Sequence, residues 1–193
     1  MPLLPLLLTF LLLPSPALAH EGTGLAGGFI AGFLHPLYGL DHMLAMVAVG
    51  LWGAFLGRPL IVLLPIVFPA MMTVGGGIGM LGLSLPLVEA GIALSVVTLG
   101  TAILLAARAP VAVAVAIVAA FALFHGYAHG TELPVAADPV GYSAGFVLCT
   151  GLLHVAGIGL GLLKSTRAGT FVLRGGGGLI ALGGLWFSYA ALA

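Results

Sequence analysis

Two short stretches, HPLYGLDH (His35 to His42) and FHGYAHGTE (Phe124 to Glu132), hold four of the six histidines and two of the five acidic residues of this chain. Imidazole and carboxylate are the side chains that bind borderline divalent ions, and no thiolate pair accompanies them; that set suits nickel, cobalt, zinc and copper(II), whereas copper(I) favours Met and Cys. In a helix, residues seven apart lie two turns apart on nearly one face, so His35 and His42 can line a single stripe with Asp41 beside it. His125 and His129 are one turn apart, a spacing that lets two imidazoles grip one ion, and Glu132 continues their face. Helical His-x3-His is a weak signal alone, and its weight depends on where the elements place it.

Those elements belong to a membrane. The chain has 193 residues, 62% of them hydrophobic and 5% charged, with a mean hydropathy of +1.30. A soluble domain carries about a quarter charged residues. An ionisable side chain at mid-membrane costs roughly 2.5 to 3.5 kcal/mol on insertion scales, so it persists where it has a partner or a task. The composition predicts an all-α integral membrane protein. Zero net charge leaves no nucleic-acid footprint, and a single cysteine, Cys149, excludes an intramolecular disulfide or a CxxC site.

Residues 1–19 read as a cleavable signal peptide, a Leu-rich run ending in Ala17-Leu18-Ala19, although no Lys or Arg opens it. Residues 20–193 then form one transmembrane domain of six helices. The first apolar stretch, Gly24 to Leu56, is too long for one perpendicular span, and Pro36 predicts a bend that leaves the Gly32 carbonyl free. The others run Pro59 to Leu81, Leu85 to Ala107, Pro110 to Ala128, Val140 to Leu163 and Thr170 to Leu192. Arg58 and Arg108 fall between spans and Lys164, Arg167 and Arg174 at the junction of spans five and six, all five on one side, so the positive-inside rule puts that side in the cytoplasm and both mature termini outside. Glycines spaced four apart, such as Gly75 and Gly79 or Gly157 and Gly161, predict close helix contacts.

This orientation gathers His35, Asp41, His42, His125, His129 and Glu132 at the outer ends of spans one and four, and Glu89 at the outer end of span three. We read these seven as one metal-binding group. Each also has a structural reading: a histidine can bond a neighbouring helix, His35 can cap the bend, Asp41 can start a helix, and Glu132, like Asp138, can be a solvated loop acid. Met43 and Met46 read as core packing. If the signal is cut after Ala19, the free amine and imidazole of His20, with Glu21 beside them, either chelate a metal at the entrance or belong to an ordinary flexible terminus. His154 lies about 22 Å along span five from Pro139, outside this group, where it serves either a helix contact or a translocation path.

The segments GFLHPLYGLDHMLAMVAVGLW, LVEAGIALSVVTLG, FALFHGYAHGTELP and GFVLCTGLLHVAGIGLG, in that order, resemble the HupE/UreJ family of bacterial membrane proteins. The most specific element matches at His35, Pro36, Gly39, Asp41 and His42; His125, Gly126, His129, Gly130 and Glu132 match a second, and Glu89 the acid of the third span. The resemblance implies a secondary permease of the bacterial inner membrane that carries Ni2+, sometimes Co2+, inward for hydrogenase or urease maturation, and the donor set leaves Zn2+ open as well. It implies no organic cofactor, no ATPase subunit and no enzymatic activity. Two other classes use the same ligands: a membrane metalloenzyme with catalytic zinc and Glu132 or Glu89 as general base, though no HExxH is present, and a metal-sensing accessory subunit. Oligomeric state is not readable from the sequence.

Overall fold

A computed structural model describes residues 25–133 and 138–192, so the expected signal peptide and His20 lie outside the described residues. All regular elements among the described residues are helices: α1 (Leu25–Tyr38), α2 (Leu40–Leu56), α3 (Leu60–Met80), α4 (Val88–Leu104), α5 (Val111–Glu132), α6 (Pro139–Gly161) with a 3-10 turn at Leu162–Ser165, and α7 (Arg167–Leu192). Four of them, α3, α5, α6 and α7, are long and apolar enough to cross a membrane, and α1 with α2 forms a fifth candidate bent by 83°. At 17 residues α4 is apolar but shorter than the Leu85 to Ala107 span expected, about 26 Å against a hydrocarbon core of about 30 Å. The described helices therefore supply four to five membrane-length spans, fewer than the six predicted.

The bend in the first span does not fall at Pro36. Pro36 sits inside the last turn of α1, and the chain breaks at Gly39, which is extended (φ −88°, ψ 102°). A proline removes one helical hydrogen bond without ending a helix whose neighbours supply the packing. Gly39 sits in a tight spot: a Cβ there would stand 3.2 Å from Asp41 Oδ1 and 3.3 Å from His42 Nδ1.

α2 is the central helix, with Ala45, Met46, Ala48 and Val49 wholly buried, and it packs on α3, α4 and α6. Apolar residues on the outer faces, among them Ile66, Val155, Leu182 and Trp186, stay exposed, as suits surfaces that meet lipid. α3 and α5 form the most extensive helix pair. Their backbones mesh through glycine: a Cβ on Gly126 would collide with the Met72 carbonyl, and one on Gly75 with the Leu123 carbonyl.

The basic residues tie off helix ends. Lys164 donates to the Ala54 carbonyl and, at 3.4 Å, to that of Phe55, both at the C-terminus of α2. Arg174 Nε donates to the Leu104 carbonyl at the end of α4 (2.7 Å), and Trp52 Nε1 to the Ala107 carbonyl (3.1 Å). Cations suit these positions, where the last carbonyls lack helical donors and the helix dipole is negative. With Arg58 after α2 and Arg108 after α4, all five bases share one end of the bundle. At the other end Asp138 caps α6, accepting from the Gly141 and Val140 amides (2.8 and 3.3 Å). The solvated-loop reading of Asp138 gives way to a capping role.

Candidate functional site

Three helices bring four of the histidines together. α1 carries His35 in its last turn, α2 carries Asp41 and His42 in its first, and α5 carries His125 and His129 two turns and one turn short of its end. Glycine contacts set the approach: Gly32 of α1 rides on the Tyr142 backbone of α6, and Gly126, between the two α5 histidines, on α3. The rings then form a connected series. His35 meets His129 with centroids 4.8 Å apart, His129 meets His42 at 4.5 Å, and His42 meets His125 at 4.6 Å. Phe146 packs 4.3 Å from His129.

His125 is wholly buried and His129 is 7% exposed, so the α5 pair lies in the protein interior. Asp41 Oδ1 accepts the His42 backbone amide and stands 2.8 Å from His42 Nδ1. A carboxylate offers only acceptors, so His42 Nδ1 carries the proton and donates. His42 Nε2 is left buried without a hydrogen-bond partner, as are His125 Nδ1 and both nitrogens of His129. Such orphaned atoms are rare in folded proteins and call for an explanation in function or in a bound ion or water. Among the described residues no three His, Cys, Asp or Glu side chains surround one point with metal-binding geometry; the rings meet edge to face.

The series continues inward. Phe68 of α3, fully buried, lies 5.6 Å from His125 and 5.3 Å from His154 of α6. His154 is 1% exposed. Pro69 removes the amide that would bond the Pro65 carbonyl, and that oxygen lies toward His154, though neither ring nitrogen closes a hydrogen bond of good geometry. One turn from His154, the buried Thr150 hydroxyl donates to Met46 Sδ at 3.5 Å. A single aromatic ring thus separates His154 from the four-histidine series. Beside the series, a largely apolar cavity of about 140 Å3 lies between α3, α5 and α6, with Pro69, Met72, His129, Tyr142 and Thr150 in its walls.

The carboxylates divide. Asp41 joins the series. Glu89 occupies the first turn of α4, on the stripe that continues inward through Ile92 and Val96, but it is exposed and has no hydrogen bond or ion pair with the histidines. Glu132 ends α5, and its side chain lies outside the described atoms. Sequence reasoning missed Ser95, Phe68 and Thr150. Ser95 of α4 is fully buried, its hydroxyl 2.6 Å from the Ile92 carbonyl and 3.0 Å from His125 Nε2. A lone Ser within LVEAGIALSVVTLG was its signal.

These features define a multi-pass helical membrane protein with a buried, carboxylate-anchored series of imidazoles. The HupE / UreJ protein family model matches residues 8–187. Over 177 residues, 91% of this chain and 93% of the relative, the sequence is 46% identical to Protein HupE of Rhizobium leguminosarum bv. viciae. The chain belongs to the HupE/UreJ family. No solved structure matches it.

Proposed function

We propose that this protein is a secondary permease that moves Ni2+ across the bacterial inner membrane into the cytoplasm and supplies hydrogenase or urease maturation. Membership of a family linked to nickel and cobalt uptake supports this reading. The observation that carries it is the unbroken run of imidazoles with buried, unpartnered nitrogens from His129 and His42 to His125.

His35, Asp41, His42, His125 and His129 form the capture site, with Glu89, Glu132 and His20 at its periplasmic entrance. The edge-to-face rings turn their nitrogens inward as the ion sheds water. Conduction needs binding that is favourable enough to enter and weak enough to leave, and successive imidazoles meet that need better than one closed cage. His154 is the next station, entered past Phe68, where the Pro65 carbonyl supplies a second oxygen-type donor. Co2+ and Zn2+ bind the same donor types and are competing cargo.

Uptake of radioactive nickel by cells expressing the protein tests this. Wild type accumulates the ion, and His42→Ala and His129→Ala do not. Equal accumulation in all three overturns the reading.

A further inference from the structure

We infer that Ser95 is a positioning residue that fixes the tautomer of His125 and thereby decides which nitrogen of that ring is open to a metal ion. The Ser95 hydroxyl has one hydrogen to donate and lone pairs to accept with. Its oxygen stands 2.6 Å from the Ile92 carbonyl oxygen, and two oxygens that close require a proton between them. The carbonyl has none, so Ser95 donates to Ile92. The hydroxyl oxygen can then only accept from His125 Nε2, 3.0 Å away, which makes Nε2 the protonated nitrogen.

The other nitrogen, Nδ1, is consequently bare, buried and without a hydrogen-bond partner. Its ring stands edge to face with His42, 4.6 Å between centroids, and His42 is held in the opposite tautomer by Asp41. Two neighbouring imidazoles are thus pinned by two different anchors on two different helices. Each anchor takes up the N–H of its ring and leaves a lone pair, at Nε2 of His42 and at Nδ1 of His125. A ligating imidazole is commonly oriented through its other nitrogen in this way, and loss of the orienting partner typically lowers metal affinity about 10- to 100-fold. Ser95 therefore does for His125, from α4, what Asp41 does for His42, with a neutral partner in place of a charged one.

The tautomer follows from geometry alone, whereas its use in metal capture rests on the nickel reading above. Nitrogen-15 NMR of histidine-labelled, metal-free protein separates the two. The wild-type His125 signal, assigned by its loss in His125→Gln, is expected as the Nε2–H form; an Nδ1–H form overturns the inference without any variant. Ser95→Ala should give His125 mixed tautomers and weaken Ni2+ binding by about 10- to 100-fold, while Ser95→Thr, which keeps the hydroxyl, restores both. Unchanged Ni2+ affinity in Ser95→Ala overturns the positioning role. Wild-type protein that shows the Nε2–H form and binds no Ni2+ overturns the nickel reading and leaves the tautomer assignment standing.

Discussion

The two ends of the bundle treat their polar groups in opposite ways. At the basic end, Lys164, Arg174 and Trp52 each find carbonyls left over by a helix terminus or the segment after it. Donor and acceptor are matched there. In the histidine series, the ring nitrogens of His129 have no partner and those of His42 and His125 have one between two, although these groups lie deeper. Stability alone disfavours that arrangement, since a buried polar group without a hydrogen bond costs about 1 to 3 kcal/mol. On the nickel reading, the contrast separates groups kept for architecture from groups kept for a ligand.

The sharpest way to break the contrast is to substitute both ends. His129→Leu replaces an unpartnered buried ring with an apolar one of comparable bulk. It should lower Ni2+ uptake by at least about tenfold while thermal stability in detergent holds or rises; a fall in stability with uptake intact reverses the assignment. The pH dependence comes next. Imidazole ligates only when neutral, and burial disfavours its charged form, so Ni2+ capture by purified protein should outlast the protonation of free imidazole and then fade with further acidification, by about tenfold per pH unit for each histidine that binds. Capture with no pH dependence down to the acid limit of the folded protein removes histidine from the ligand set.

Gly126→Ala probes the frame. The new methyl meets the Met72 carbonyl, and unfolding measurements should show a loss of about 1 to 3 kcal/mol. The smallest effect is expected at the basic end: Lys164→Ala should destabilise by about 1 kcal/mol and leave Ni2+ affinity unchanged. A change in affinity there would couple the two ends.

Much of this was legible in the sequence. Long apolar runs marked α3, α5, α6 and α7 to within a few residues, because a helix that must satisfy its own backbone in lipid leaves a continuous signal. The basic residues marked a common end, and the histidines stood out against oil. What stayed hidden depends on three-dimensional register. Pro36 is the more conspicuous helix breaker, yet the fold turns at Gly39, close beside the Asp41 and His42 side chains. Phe68 and Ser95 read as ordinary members of apolar helices; only the packing of α3 and α4 against α5 sets them beside His125. The expectation that the ligands share one depth also needed the packed helices, because α5 runs on to Glu132 and carries His125 further in than a helix ending at Ala128 would.

The glycine seam between α3 and α5 bears on how the protein lives in bilayers of different thickness. Helices adapt to a thicker or thinner membrane by tilting. Phe68 and His125 ride on two helices whose backbones touch, so they tilt together and keep their spacing. Lipid composition should therefore alter the outer surfaces of this protein far more than the packing around Phe68 and His125.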